Sequence, residues 1–351
     1  MKEDLNDILN SNKDQKVTFE ELHIRHLNLL KNLRGEKLNN MFLKMAIINT
    51  FDDLKIFLNH LKKNKNKCII AIEEKKIIGY LNIFPLNDKG TCLRISKPNL
   101  MNIKDSITKK ELTLGLIKKS VSITDIKTSS WIINSDINNN HLISSARELG
   151  FQPLEKVRLW SRNNISQTIK QTKEVSSSVD EFQAINKLNL INVLNFIRSN
   201  QSPLIRTILD LDQKDISNRN DLNSGAIIYK NSVLCTILKD INFQDSKIYT
   251  LTIGKSWDNR LRPILKDILN RFFEKSPHSI IKTYEENTEL NSYLEISGFT
   301  DKVQEIILVR NTIVRNESKQ NNKISQSLES IFEKLNPQGN AYPSPFPLKF
   351  K

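Results

Sequence analysis

Two arginines, Arg260 and Arg262, stand at the start of a helical stripe made by Leu261, Ile264, Leu265, Ile268, Leu269 and Phe272. Asp258-Asn259 just before them can cap that helix, and Trp257 offers an aromatic face for stacking. A helix start presents unpaired N–H groups and the positive end of the helix dipole. Guanidinium groups there either hold phosphate by charge-assisted hydrogen bonds or block the close backbone approach that glycine would permit. His23 and His26 lie three apart with Glu20 and could share a helix face as metal ligands. No convincing further ligand joins them, so a surface helix is the favoured reading and no metal site is assigned. Cys68, Cys92 and Cys235 are too scattered for a disulfide framework or a zinc cluster, which suits a reducing compartment.

The elements that must position these residues come in two sets. A helix ending at Gly150-Phe151 has a counterpart 148 residues later ending at Gly298-Phe299, and each has an Asn eleven residues before its Gly, Asn139 and Asn287. Ile132-Ile133 matches Ile280-Ile281 at the same offset. Further upstream Ile69-Ile70 and Leu93-x-Ile95 match Ile227-Ile228 and Leu251-x-Ile253 at an offset of 158, so the first copy carries about ten extra residues between Ile95 and Ile132. A period this long means tandem domains and not a solenoid. Patterning in the first copy predicts helices over 20–33 and around Phe51–Leu61. Strands are expected at 68–72, 77–83 and 92–96, then helix 108–121, strand 131–134, helix 139–149 and strand 156–161. The second copy predicts helix 180–198, strands 226–229, 233–239 and 248–253, helix 258–273, strand 279–283, helix 287–297 and strand 303–309. The expected organisation is therefore domain 17–162, a polar linker 163–179, domain 180–313, and an amphipathic helix with a Pro/aromatic tail over 314–351. That tail either packs on its own domain or docks on a partner.

This order resembles the GNAT acyltransferase superfamily, twice over: helices, a hairpin, a long strand, a helix, a strand, then an Asn-led helix ending in Gly-Phe. The resemblance implies an α/β fold of two tandem GNAT-like domains, each a mixed twisted sheet flanked by helices. It also implies an acyl-CoA pyrophosphate held where a Gln/Arg-x-x-Gly-x-Gly/Ala loop opens the third helix. Neither copy has that loop intact. In the second, Trp257, Arg260 and Arg262 fall on the three marked positions, beside Asp258, Asn259 and Leu261; in the first, Thr108, Glu111 and Thr113 do. A carboxylate at Glu111 would repel pyrophosphate, so the second copy is the candidate site, with Leu251 and Ile253 of the fourth strand and Asn287 completing its cofactor-binding set. The family's Tyr general acid is absent, since Ala146 and Leu294 occupy its position; Tyr293, one residue away, is the remaining catalytic candidate.

The resulting expectation is an N-acyltransferase moving an acetyl or other acyl group from acyl-CoA, with acetyl-CoA as donor, to a small-molecule or peptide amine, the first domain being structural. Two alternatives stay open: a non-catalytic GNAT-like binding or scaffold protein, and an aminoacyl-tRNA-dependent transferase. The charge, 53 Lys and Arg against 39 Asp and Glu for a formal net of +14, suits an anionic partner such as a phosphorylated cofactor or tRNA. The basic residues are scattered among acids, however, and abundant Lys, Asn and Ile read as compositional bias. Short apolar runs exclude a membrane-spanning helix, and the charged N-terminus lacks the apolar core of a signal peptide, so a cytoplasmic location is expected.

Overall fold

The computed structural model describes residues 17–30, 42–43, 46, 66–101, 108–123, 127–162, 182–241, 247–255 and 261–312. It opens with strand β1 (Thr18–Glu21), a 3₁₀ turn at Ile24–His26 and a short helix α1 (Leu27–Leu30), where the Leu spacing predicts one helix over 20–33. The correction has a tertiary cause: Thr18–Glu21 pairs antiparallel with Ile69–Ile72, and ladder bonds outweigh a weak helical stripe. The hairpin β2 (Lys67–Glu73) and β3 (Lys76–Pro85) turns through Glu74 and Lys75, at φ 46° and 63°. Two left-handed residues make a type I′ turn, whose twist matches that of the strands. β4 (Cys92–Ile95), β5 (Asn99–Leu100), α2 (Lys109–Ser122), β6 (Ser130–Asp136), α3 (Asn140–Glu148) and β7 (Gln152–Arg162) follow. The Asn139 side chain accepts from Leu142 N at 3.1 Å to cap α3, and Gly150 at φ 82° ends it, as the Asn-to-Gly spacing requires.

The second set runs β8 (Phe182–Gln183), α4 (Leu190–Asn200), α5 (Pro203–Leu209), α6 (Gln213–Arg219), β9 (Gly225–Tyr229) and β10 (Ser232–Lys239). It finishes with β11 (Ile248–Ile253), α7 (Leu261–Lys275), β12 (Ile280–Tyr284), α8 (Thr288–Ile296) and β13 (Phe299–Asn311). The helix expected over 180–198 begins only at Leu190, because Phe182 and Gln183 pair with Ile227 and Ala226 as an edge strand. The two short helices α5 and α6, each with a side-chain N-cap (Ser202, Asp212), were not anticipated by the periodicity. The stripe around Phe51–Leu61, the linker 163–179, Trp257–Arg260 and the segment beyond 312 lie outside the described residues.

Among the described residues all strands except β5 lie along one continuous path, β1-β2-β3-β4-β6-β13-β7-β12-β11-β10-β9-β8. The closing strands are exchanged. β7, which follows α3, lies between β13 and β12, while β13 lies between β6 and β7. The exchange preserves the repeat: Trp160 pairs with Ile281 as Leu308, its counterpart, pairs with Ile133. Trp160, 1% exposed, therefore sits in the apolar core of the C-terminal repeat with Leu251, Phe272 and Leu294, and Leu308 sits in that of the N-terminal repeat with Leu116 and Trp131. The described residues through Asn311 belong to one compact unit.

The sheet also corrects one correspondence between the copies. Ile95 lies opposite Ile83 and Ile133, whereas Ile281, the counterpart of Ile133, lies opposite Tyr249. The equivalent of Ile95 is thus Tyr249 and not Ile253. The first copy's excess in that interval shrinks from about ten residues to about six.

Candidate active site

The slip of four residues changes what the two copies offer. In the N-terminal repeat β4 pairs with β6 over its whole length, then leaves through Ser96 and Pro98 to lay β5 against β3. Lys97 and Asn134 both donate to Glu305 on β13, at 2.7 and 3.1 Å, which ties together the chain that leaves β4 and its neighbours. In the C-terminal repeat the parallel ladder between β11 and β12 ends at Thr250 and Lys282. β11 runs on to Ile253 paired only with β10, and β12 runs on to Tyr284 paired only with β7. The two strands part there.

Backbone direction at this opening follows from the ladder. Asp240 N–H donates to Ile248 C=O, and Gly254 N–H to Leu234 C=O, so alternate β11 residues bond toward β10. Leu251 and Ile253 consequently turn their backbone groups toward β12. Their side chains, 0% and 4% exposed, point into the core under α7.

On that same face α7 starts with Leu261, buried, and Arg262, exposed; Pro263 follows, tolerated in a first turn because its missing N–H has no intrahelical partner there. Tyr293, 7% exposed, donates its hydroxyl to the Arg262 carbonyl at 3.1 Å, and burial pushes its phenol up. Asn287 occupies the N-cap position of α8 without a side-chain cap bond; Asn291, one turn on, instead donates to the Tyr284 and Glu285 carbonyls and accepts from Thr283. The start of α2 is closed to an anion. Glu111 accepts from both the N–H and hydroxyl of Thr108 at 3.0 and 2.9 Å, and Thr108 accepts from Glu111 N, so a carboxylate of the protein already occupies that helix start. His26 bonds Glu20 at 3.1 Å and accepts from His23 N–H, while Arg25 holds Glu20 at 2.7 Å.

The opposite face of the opening carries a cavity of about 60 Å³ with a mixed polar and apolar lining. Thr250 and Thr252 of β11, Lys282 and Tyr284 of β12, Thr236 of β10 and Asp240 just after it line the cavity, with Arg94 of β4 and Arg219 of α6. Helices α4 and α5 contribute Ile197 and Ile205 above it. Lys282 Nζ donates to Asp240 at 2.6 Å, and Arg94 Nη1 lies 3.4 Å from the same carboxylate oxygen and donates to Ile241 C=O at 2.7 Å. Burial alone would raise the Asp240 carboxyl, but Arg94 and Lys282 hold it well below the usual carboxylate range. Arg219 donates to Leu86 C=O at 2.7 Å and makes no ion pair within 4 Å among the described residues; burial lowers its pKa, Asp240 and Asp215 act against that, and the guanidinium stays charged. Burial pushes the Tyr284 phenol above its ordinary value, helped by Glu155. Glu155 itself accepts from Ser202 at 2.7 Å and is raised by burial.

Sequence reasoning placed the site on β11 and α7 and missed this cluster. The available signal was period two: Arg94 in Cys-Leu-Arg-Ile and Lys282 in Ile-Ile-Lys-Thr-Tyr interrupt apolar strands.

Neither protein-family models nor curated protein sequences yield a match to this chain. Among solved structures it is similar to a GNAT-family acetyltransferase from Colwellia psychrerythraea, at 14% identity over 70% of this chain and 85% of the other, with a TM-score of 0.40. A GCN5-related N-acetyltransferase from Sphaerobacter thermophilus gives 8% over 74% and 85%, with a TM-score of 0.44. A tandem GNAT protein from the clavulanic acid biosynthesis pathway gives 8% over 85% and 99%, with a TM-score of 0.47. The chain's own sheet order and doubled element order show two copies of one α/β plan, an order that resembles the GNAT fold.

Proposed function

We propose that the C-terminal repeat is an N-acyltransferase that moves an acetyl or other acyl group from acyl-CoA to an amine. The parting of β11 and β12 after Thr250 and Lys282 carries this reading. It gives a thioester a slot between a helix start on one face and a cavity with charged groups in its lining on the other. Within it, backbone groups of Leu251 and Ile253 face the reacting carbonyl, the kind of preorganised dipole that stabilises an oxyanion. Arg262 and the first turn of α7, with Arg260 just before, supply the groups for the pyrophosphate. The amine lone pair forms the C–N bond, the C–S bond breaks, and the proton lost by the amine ends on the departing thiolate. Tyr284, kept protonated by burial at the parted end of β12, is the donor we assign to that proton. The N-terminal repeat is structural in this scheme, since Glu111 fills its helix start. A cytoplasmic enzyme acting on a small-molecule or peptide amine fits the reading.

One observation favours a second reading, a binding protein without turnover: Tyr293 is locked on the Arg262 carbonyl, and no glycine opens α7. Calorimetric titration with acetyl-CoA, followed by a thiol-release assay over an amine panel, separates the two. Binding that is lost in Arg260→Ala/Arg262→Ala and accompanied by thiol release supports the transferase. Absence of binding at millimolar acetyl-CoA, or binding indifferent to that double substitution, removes it; binding without thiol release for any amine leaves the second reading.

A further inference from the structure

The cavity has more positive charge than its own acid can answer. Arg94, Arg219 and Lys282 line it against Asp240, with Asp215 outside the lining also acting on Arg219; Lys239 reaches the lining but pairs with Asp221 at 3.8 Å, and Glu155 is held by Ser202 outside it. Asp240 is already shared by Arg94 and Lys282. Three donors are left over. The Nε of Arg94, the Nε of Arg219 and the Oγ1 of Thr236 are each shielded from solvent and make no hydrogen bond among the described residues, and Thr236 is 1% exposed. Buried donors without partners are rare because each forfeits its hydration, and the cost is larger for a donor on a charged guanidinium. An oxyanion with two acceptor oxygens removes both deficits. About 60 Å³ holds a few water molecules or one carboxylate group.

We propose that this cavity is a carboxylate subsite, built jointly by β4 of the N-terminal repeat and by β10, β12 and α6 of the C-terminal repeat. Arg219 and Arg94 take the carboxylate, with Thr236 as a third donor. Its role in acyl transfer rests on the reading above: a carboxylate seated beside Thr250, Thr252 and Lys282 sets the rest of the molecule against the parted edge of β11. An amino-acid-like acceptor brings such a carboxylate on the amine, and a dicarboxylic acyl group brings it on the donor.

Calorimetry of the full chain tests both. Glycine, L-alanine and L-glutamate are titrated against glycinamide and ethanolamine, and succinyl-CoA against acetyl-CoA. The subsite predicts at least a tenfold preference for the carboxylate-bearing member in one arm, the acceptor arm if the amine brings it and the CoA arm if the acyl group does. That preference disappears in Arg219→Gln, checked for native circular dichroism, and weakens in the near-isosteric Thr236→Val, which keeps every charge. No preference in either arm, or a preference untouched by both variants, overturns the subsite. Acyl transfer without any carboxylate preference removes the subsite and leaves the transferase standing. Carboxylate binding with no turnover on any amine keeps the subsite and removes the transferase.

Discussion

Lys282 Nζ donates to Asp240 Oδ2 at 2.6 Å, and this buried ion pair ties β12 to the residue that follows β10, across β11. Arg94 at 3.4 Å is the second cation on the same oxygen. Asp240→Asn strands both cations and should cost about 3–5 kcal/mol in urea unfolding. Lys282→Met leaves Asp240 facing Arg94 and should cost less. The Asp240 carboxyl titrates lower in the folded protein than the unfolded value of about 3.9. Its stabilisation is therefore complete above that value and is lost as pH falls toward the folded one, so the gap between wild type and Asp240→Asn should narrow below about pH 4. A gap unchanged by acid would contradict the pairing.

Tyr284→Phe tests the proton donor. Removing a general acid should lower kcat about 100-fold and leave KM nearly unchanged. Because burial raises this phenol, wild-type kcat should show no loss from tyrosine ionisation up to about pH 10. A variant with wild-type kcat would transfer the role elsewhere.

The strand exchange predicts that the repeats do not fold separately. A fragment ending after Arg162 leaves β6 without β13 beside it, and β7 without β13 and β12. Residues 1–170 alone should give poorly dispersed amide spectra, and co-expression with 175–351 should restore a folded complex. A well-dispersed monomeric spectrum from the first fragment would rule the exchange out.

Gly115 in α2 faces Phe19 of β1, and a Cβ there would lie 2.1 Å from the ring. Alanine normally stabilises a helix by about 1 kcal/mol over glycine, but here Gly115→Ala should destabilise by about 1–3 kcal/mol in chemical unfolding. Adding Phe19→Ala should reverse the sign of the clash, though not the loss of the ring's packing.

Cys68, Cys92 and Cys235 are each 0–1% exposed, and burial raises their thiols, Cys92 to about 11 and Cys235 to about 12. Iodoacetamide at pH 8 should label none of them in the native protein and all three in guanidinium, as read by intact mass. Rapid native labelling of any one would mean that its strand opens.

What was legible in advance was local. The β2–β3 and β9–β10 hairpins, the Asn139-to-Gly150 helix and the inward stripe of α7 follow from alternation, capping and helical period, each decided within a dozen residues. β1 and β8 were misread because an edge strand of a few residues carries little pattern of its own; Phe19 and Phe182 become strand residues only once β2 and β9 are there to pair with. The candidate residues divide in the same way. Leu251, Ile253, Leu261 and Arg262 could be named from spacing around two elements.

Arg94, Arg219, Asp240 and Lys282 could not. They are far apart along the chain, and nothing local marks any one of them as facing another. By itself the sequence determined that the chain folds as two copies of one α/β plan, because a repeated pattern of apolar positions and caps needs no knowledge of what lies beside it. Tertiary structure alone decided that the copies exchange closing strands, that β11 slides four residues past the register of β4, and that three cations meet one acid between them. Those outcomes depend on which strand edges find each other, and pairing energy between segments distant along the chain leaves no periodic trace in either segment.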